Sequence, residues 1–180
     1  MNSKKWSIVV ILAAVMAVSA LPQAAAAESR LKERTAYAYF ERFDDSGCTF
    51  TGVSTGGSSS KERNRAYVYV ARFNTCTGEY LIEAYGETTN ARVDINKKLT
   101  RGSIVATIAA FDNVSGSTLT LNLKVAWTGT GALIESGDLE QSREATAAGR
   151  VKGGSLNLAL KQPILAELAA RPSGQVPNED

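Results

Sequence analysis

The stretch STLTLNLKVAW, from Ser117 to Trp127, decides the fold class. Leu119, Leu121, Leu123, Val125 and Trp127 alternate with Thr118, Thr120, Asn122, Lys124 and Ala126. Successive strand side chains point to opposite faces, so this rhythm puts every large apolar group on one side. Wound as a helix, the same leucines would scatter around the circumference. Burying each contributes roughly 1.5–3 kcal/mol, so this face is expected to anchor a core. Just upstream, Ile104, Ala106, Ile108 and Ala110 alternate with Val105, Thr107, Ala109 and Phe111. Apolar on both sides, that run predicts a strand buried on both faces. Asp112-Asn113-Val114-Ser115-Gly116 between the two runs is turn chemistry, so residues 103–127 read as a β-hairpin.

Upstream, the chain spells nearly the same eight residues twice: AYAYFERF from Ala36 and AYVYVARF from Ala66. One face of the first copy carries Tyr37, Tyr39, Glu41 and Phe43; the matching face of the second carries Tyr67, Tyr69, Ala71 and Phe73. The other faces are smaller and apolar, each ending in arginine, Arg42 or Arg72. Cys48 follows the first copy and Cys76 the second, so two neighbouring strands would bring the sulfurs together. Cys48 to Thr55 reads as a short strand. Gly56-Gly57-Ser58-Ser59-Ser60 reads as a flexible loop. Glu79–Thr88, Ala91–Asn96, Ala145–Val151 and Leu156–Leu160 give further strand patterns, and Ile164–Ala170 a last one. The expected architecture is all-β: an antiparallel β-sandwich of about 8–10 short strands, with a closed β-barrel as the alternative.

The N-terminus reads as an address. Lys4 and Lys5 precede an apolar run, Ile8 to Leu21, then Pro22, Gln23 and four alanines. This is the pattern of a secretory signal peptide, residues 1–27. The run is shorter than the roughly 20 residues that a membrane span needs. Residues 28–170 are then one β-domain, and 171–180 a loose tail with two prolines. Export implies a secreted or extracytoplasmic protein, extracellular or periplasmic. There, Cys48 and Cys76 are expected to form a disulfide. Closing that loop stabilises the fold by roughly 3–4 kcal/mol in the chain-entropy account. Without Lys4 and Lys5, 18 basic residues balance 18 acidic ones. A neutral chain has no whole-molecule attraction for nucleic acid or an anionic membrane.

Catalytic constellations are mostly missing. The chain has no histidine, which excludes Ser-His-Asp, Cys-His and His-containing metal triads. Ser58-Ser59-Ser60-Lys61 has the spacing of a serine–lysine pair but lies in the expected loop. Thr128-Gly129-Thr130-Gly131 lacks the third glycine and the helix of a phosphate cradle and reads as a turn. Asp44-Asp45 and Asp112-Asn113 could offer oxygens to Ca²⁺, but turn formation accounts for them. No metal or cofactor is expected. Glu79, Glu83 and Glu87 share a strand parity and are the candidates for a carboxylate pair that would hydrolyse a glycoside. Tyr37, Tyr39, Tyr67 and Tyr69 would form either one side of the core or an exposed platform for sugar rings or a protein. The core reading is favoured, because large exposed aromatic patches are rare.

The run KVAWTGTGAL, Lys124 to Leu133, followed by EATAAGRV, Glu144 to Val151, resembles a pattern of small secreted bacterial β-proteins without a described role. That resemblance implies a bacterial exported β-domain and carries over no catalytic residue. The expected function is a non-catalytic binding or surface-interaction domain for saccharide or protein. A carboxylate-dependent hydrolase and a purely structural envelope or matrix protein are the alternatives.

Overall fold

The computed structural model describes residues 31–136 and 140–172. The signal-peptide pattern, and the tail beyond Pro172, lie outside the described residues. Among the described residues eleven strands form one antiparallel sheet. They are β1 (Leu31–Phe43), β2 (Thr49–Ser59), β3 (Asn64–Asn74), β4 (Glu79–Thr88), β5 (Ala91–Ile95), β6 (Arg101–Asp112), β7 (Ser117–Gly129), β8 (Ile134–Ser136), β9 (Glu140–Gly153), β10 (Leu156–Leu160) and β11 (Leu165–Pro172). No helix among the described residues is long and apolar enough to cross a membrane.

The ladders fold the sheet into a sandwich. One layer runs β11-β1-β2-β3-β4 and the other β5-β6-β7-β9-β10, with β8 on the flank of β9. The layers join at two corners. Ala84 and Tyr85 of β4 pair with Asp112 and Phe111 of β6, and Glu167–Ala170 of β11 pair with Gln141–Glu144 of β9. Both corners are antiparallel, so the backbone ladder runs without a break around the core.

The expected 103–127 hairpin is present as β6 and β7, paired from Arg101↔Thr128 to Asp112↔Ser117. Leu121, Leu123, Val125 and Trp127 are buried, as the alternation requires. On β6 only one side is enclosed. Ile104, Ile108 and Ala110 are fully buried, while Val105 and Phe111 remain about half exposed at 46% and 51%. The expected two-sided burial is therefore corrected: no second layer covers the outside of β6 among the described residues.

The tyrosine strands also face the other way from the favoured reading. Ala36, Ala38 and Phe40 of β1 and Ala66, Val68 and Val70 of β3 point into the core, and the tyrosines point out. The facing layer explains why. It brings Trp127 and the leucines of β7 and β10, and volume filled from one side favours small groups on the other, where Phe40 is the single large ring. Trp127 reaches across the core, and its indole N–H donates to the Tyr37 carbonyl of β1 at 2.8 Å.

The glycine–serine run is not a loop. Gly56 to Ser59 belong to β2, which pairs along its length with both β1 and β3. Two of these glycines are required by close approach. A Cβ on Gly56 would lie 2.6 Å from the Ala36 carbonyl oxygen and 2.9 Å from the Tyr67 ring. One on Gly57 would lie 2.9 Å from Ile104 of the opposite layer. Glycine weakens an isolated strand, but neighbouring side chains fill its place here.

Cys48 and Cys76 form the expected disulfide, with Cα atoms 5.3 Å apart. It ties the β1–β2 turn to the β3–β4 turn. The last strand reaches Pro172, two residues past the expected limit, and Arg171 pairs with Glu33 of β1 at 3.4 Å.

Candidate functional site

The outer face of β1–β4 is built from cross-strand rows. In one row Tyr37, Gly56, Tyr67 and Glu87 stand side by side. In the next stand Leu165, Tyr39, Ser54, Tyr69, Tyr85 and Phe111, the last across the β4–β6 corner. A third holds Glu41, Gly52, Ala71 and Glu83, and a fourth Phe43, Phe50, Phe73 and Tyr80. All six tyrosines of the chain and four of its five phenylalanines therefore share one face. Gly52, Ser54 and Gly56 form a low floor along β2, and tyrosines from both neighbours lean over it. Tyr37, Tyr39, Tyr67 and Tyr69 are half-buried for that reason, whereas Phe43, Tyr80, Tyr85 and Phe111 expose 50–58% of their surface.

The rings hold one another in fixed places. Phe43 and Phe50 meet edge-on at 5.4 Å between centroids, and Phe73 and Tyr80 at 4.9 Å. The phenols are committed to carboxylates. Tyr39 donates to Glu41, Tyr69 to Glu83 at 3.2 Å, and Tyr85 to Glu87 at 3.4 Å. The bond to Glu41 holds the Tyr39 phenol up at about 12, with burial adding to it. Burial alone is the leading cause of the rise of Tyr67 to about 12. Tyr69 and Tyr85 are raised by burial first and then by the charges of Glu83 and Glu87. The hydroxyls therefore stay protonated. Each carboxylate keeps lone pairs free to accept from an outside donor. A hollow of about 420 Å³ lies at the end of β3 and β4, lined by Arg63, Arg65, Glu87, Thr88 and Thr89.

The four tyrosines named from sequence thus come together, with Ser54 and Gly56 between the two pairs. Phe50, Tyr80, Tyr85 and Phe111 were not linked to them by sequence reasoning. The signal was present for Tyr85, which alternates with Glu83 and Glu87 in the manner of Tyr39 with Glu41. Glu79 does not share a face with Glu83: the ladder slips at Leu81, so Glu79 stands opposite Asn74 and Glu83 opposite Ala71. Glu83 and Glu87 do share the face, each accepting from a tyrosine. Asp44 accepts from the backbone N–H of Thr49 and from Ser46, which lowers it to about 2. Asp112 accepts from Glu83, Val114 and Ser115 at the β4–β6 corner. Both aspartates are spent on turns. Ser58 and Ser59 sit in β2, and Lys61 lies in the exposed turn that follows. Among the described residues no group of three metal-ligating side chains comes together.

No family model, no curated protein and no solved structure matches this chain.

Proposed function

We propose that the protein is an exported, non-catalytic binding domain whose aromatic face takes a saccharide. One observation carries the reading: ten aromatic rings share the solvent side of one sheet, interleaved with carboxylates. A contiguous apolar patch is costly to leave in water and usually marks an interaction site. A sugar ring offers a C–H face to stack on an aromatic ring and hydroxyls around its rim. Glu41, Glu83 and Glu87 stand beside the rings as acceptors for those hydroxyls. The platform rests on strands paired on both sides, so binding orders few groups. The disulfide agrees with an oxidising, extracytoplasmic setting.

A glycan array followed by titration calorimetry on the purified protein tests this. One glycan class should bind saturably. Tyr85→Ala and Tyr69→Ala should each weaken it tenfold or more while the melting temperature moves little. An array with no saturable glycan, or one whose binding ignores both changes, sinks the saccharide reading. Capture of a protein partner through the same rings would replace it.

A further inference from the structure

We propose that the opposite face, the outside of β5-β6-β7-β9, is a second site, which takes a linear saccharide polyanion bearing carboxylate or sulfate groups. It does not rest on the aromatic face. A shallow concavity of about 730 Å³ lies there, floored by Ser103, Ala126 and Ala148 and walled by Arg92, Lys124, Arg150 and Lys152. The register puts three of these cations in one row: Arg92 opposite Val105, Val105 opposite Lys124, and Lys124 opposite Arg150. Lys152 stands one row over, opposite Asn122, which is bonded to Thr107 at 3.0 Å.

Two features separate this patch from ordinary solvated charge. Among the described residues no acidic side chain lines the concavity, and the one ion pair among them, Arg171–Glu33, lies elsewhere. Lys124 and Arg150 also face each other directly across a ladder. Like charges in that position destabilise a sheet. An incoming anion would relieve that repulsion. Glu41, Glu83, Glu87 and Glu167 lie on the aromatic layer, and Asp94, opposite Ser103, is the acid that stands next to the cation row at the β5 edge.

The geometry selects the kind of anion. From β5 to β9 the cations span three strand spacings, about 14 Å, which suits repeated charges along a chain rather than one small ion. Arginine forks at both ends match planar or tetrahedral oxyanions in bidentate fashion. Among the described residues no aromatic ring lines the concavity, so single-stranded nucleic acid would find no base-stacking platform there.

The test titrates the purified protein with polygalacturonate, with dextran sulfate and with a thymidine oligonucleotide, at low and at physiological salt. At least one polysaccharide should bind, less tightly as salt rises, and tenfold or more above the oligonucleotide. The two polysaccharides distinguish carboxylate from sulfate. Lys124→Gln with Arg150→Gln should reduce that affinity tenfold or more without lowering the melting temperature, since the pair repels. Tyr85→Ala should leave it unchanged. The proposal fails if neither polysaccharide binds at low salt, or if the oligonucleotide binds as well. It also fails if the double variant binds normally, or if that variant melts several degrees lower, which would reveal structural partners for the cations.

Discussion

Asp112 holds the corner where the two layers meet, and removing it should loosen the whole fold. The β4–β6 seam has only two register pairs, Ala84↔Asp112 and Tyr85↔Phe111. The Asp112 carboxylate, in a residue only 4% exposed, supplements them. One oxygen accepts from the Glu83 N–H at 3.0 Å and the Val114 N–H at 3.2 Å, and the other from the Ser115 hydroxyl at 2.6 Å. A hydrogen bond to a charged group contributes about 1.5–3 kcal/mol, but three bonds to one carboxylate share its desolvation cost and do not add. Asp112→Ala should therefore destabilise by about 2–4 kcal/mol, since it leaves the seam donors bare. Asp112→Asn keeps an oxygen for both N–H groups and should cost about half as much.

Urea unfolding followed by Trp127 fluorescence measures both. The pH dependence supplies a second reading. Burial pushes the Asp112 carboxyl up, but bonds from Ser115, Glu83 and Val114 outweigh it and hold the group below its usual 3.8. A depressed carboxylate contributes stability fully above its unfolded pKa and loses it as pH falls through the folded one. The gap between wild type and Asp112→Asn should be flat above about pH 5 and narrow below about pH 4. An alanine variant within about 0.5 kcal/mol of wild type would refute the corner argument, because changes at unconstrained surface positions do no more than that.

Replacing Cys48 and Cys76 by serine should cost roughly 3–4 kcal/mol, read as a shift in the urea midpoint, and reductant should no longer affect the variant. Gly56→Ala should destabilise by about 1–3 kcal/mol, although glycine-to-alanine changes usually gain from the unfolded state. Its Cβ would meet the Ala36 carbonyl oxygen, which no rotamer change can move aside. A raised melting temperature for Gly56→Ala would show that β1 and β2 can shift apart.

The hairpin, expected over 103–127 and found over 101–129, was legible because its second strand has a one-sided and long rhythm. Leu121 to Trp127 leave no alternative face. The disulfide was legible from cysteine count and expected compartment. What failed is instructive. Gly56 to Ser60 reads as a loop because glycine and serine form poor strands in isolation, yet Gly56 to Ser59 belong to β2. Their stability as β2 comes from Tyr37, Tyr67, Ala36 and Ala66 on the neighbouring strands, contacts that no window of sequence contains. Likewise, Val105 and Phe111 suggested a second covering layer, although nothing in their own strand determines whether one exists.

The site was half legible for a related reason. Parity placed Tyr37 with Tyr39, and Tyr67 with Tyr69, but could not say which side of the strand faced the core. Size favoured the tyrosines; the opposing layer decided otherwise, because Trp127 and the leucines already fill the interior. The echo between AYAYF and AYVYV then has a physical cause. The two copies do not pair with each other. They flank β2 symmetrically, so Tyr37 and Tyr67 both meet Gly56, and Tyr39 and Tyr69 both meet Ser54. Inside, Ala38 and Val68 both meet Thr55, a buried residue whose hydroxyl donates to the Tyr67 carbonyl. Two strands that share one neighbour and both of its faces meet the same steric demands, position by position. The matching residues end at Phe43 and Phe73, which both meet Phe50 in the last shared row before the chain enters the disulfide-linked turns. The repetition therefore needs no inherited duplication. Matched environments are sufficient, and they place the two pairs of rings on opposite sides of the same glycine–serine floor.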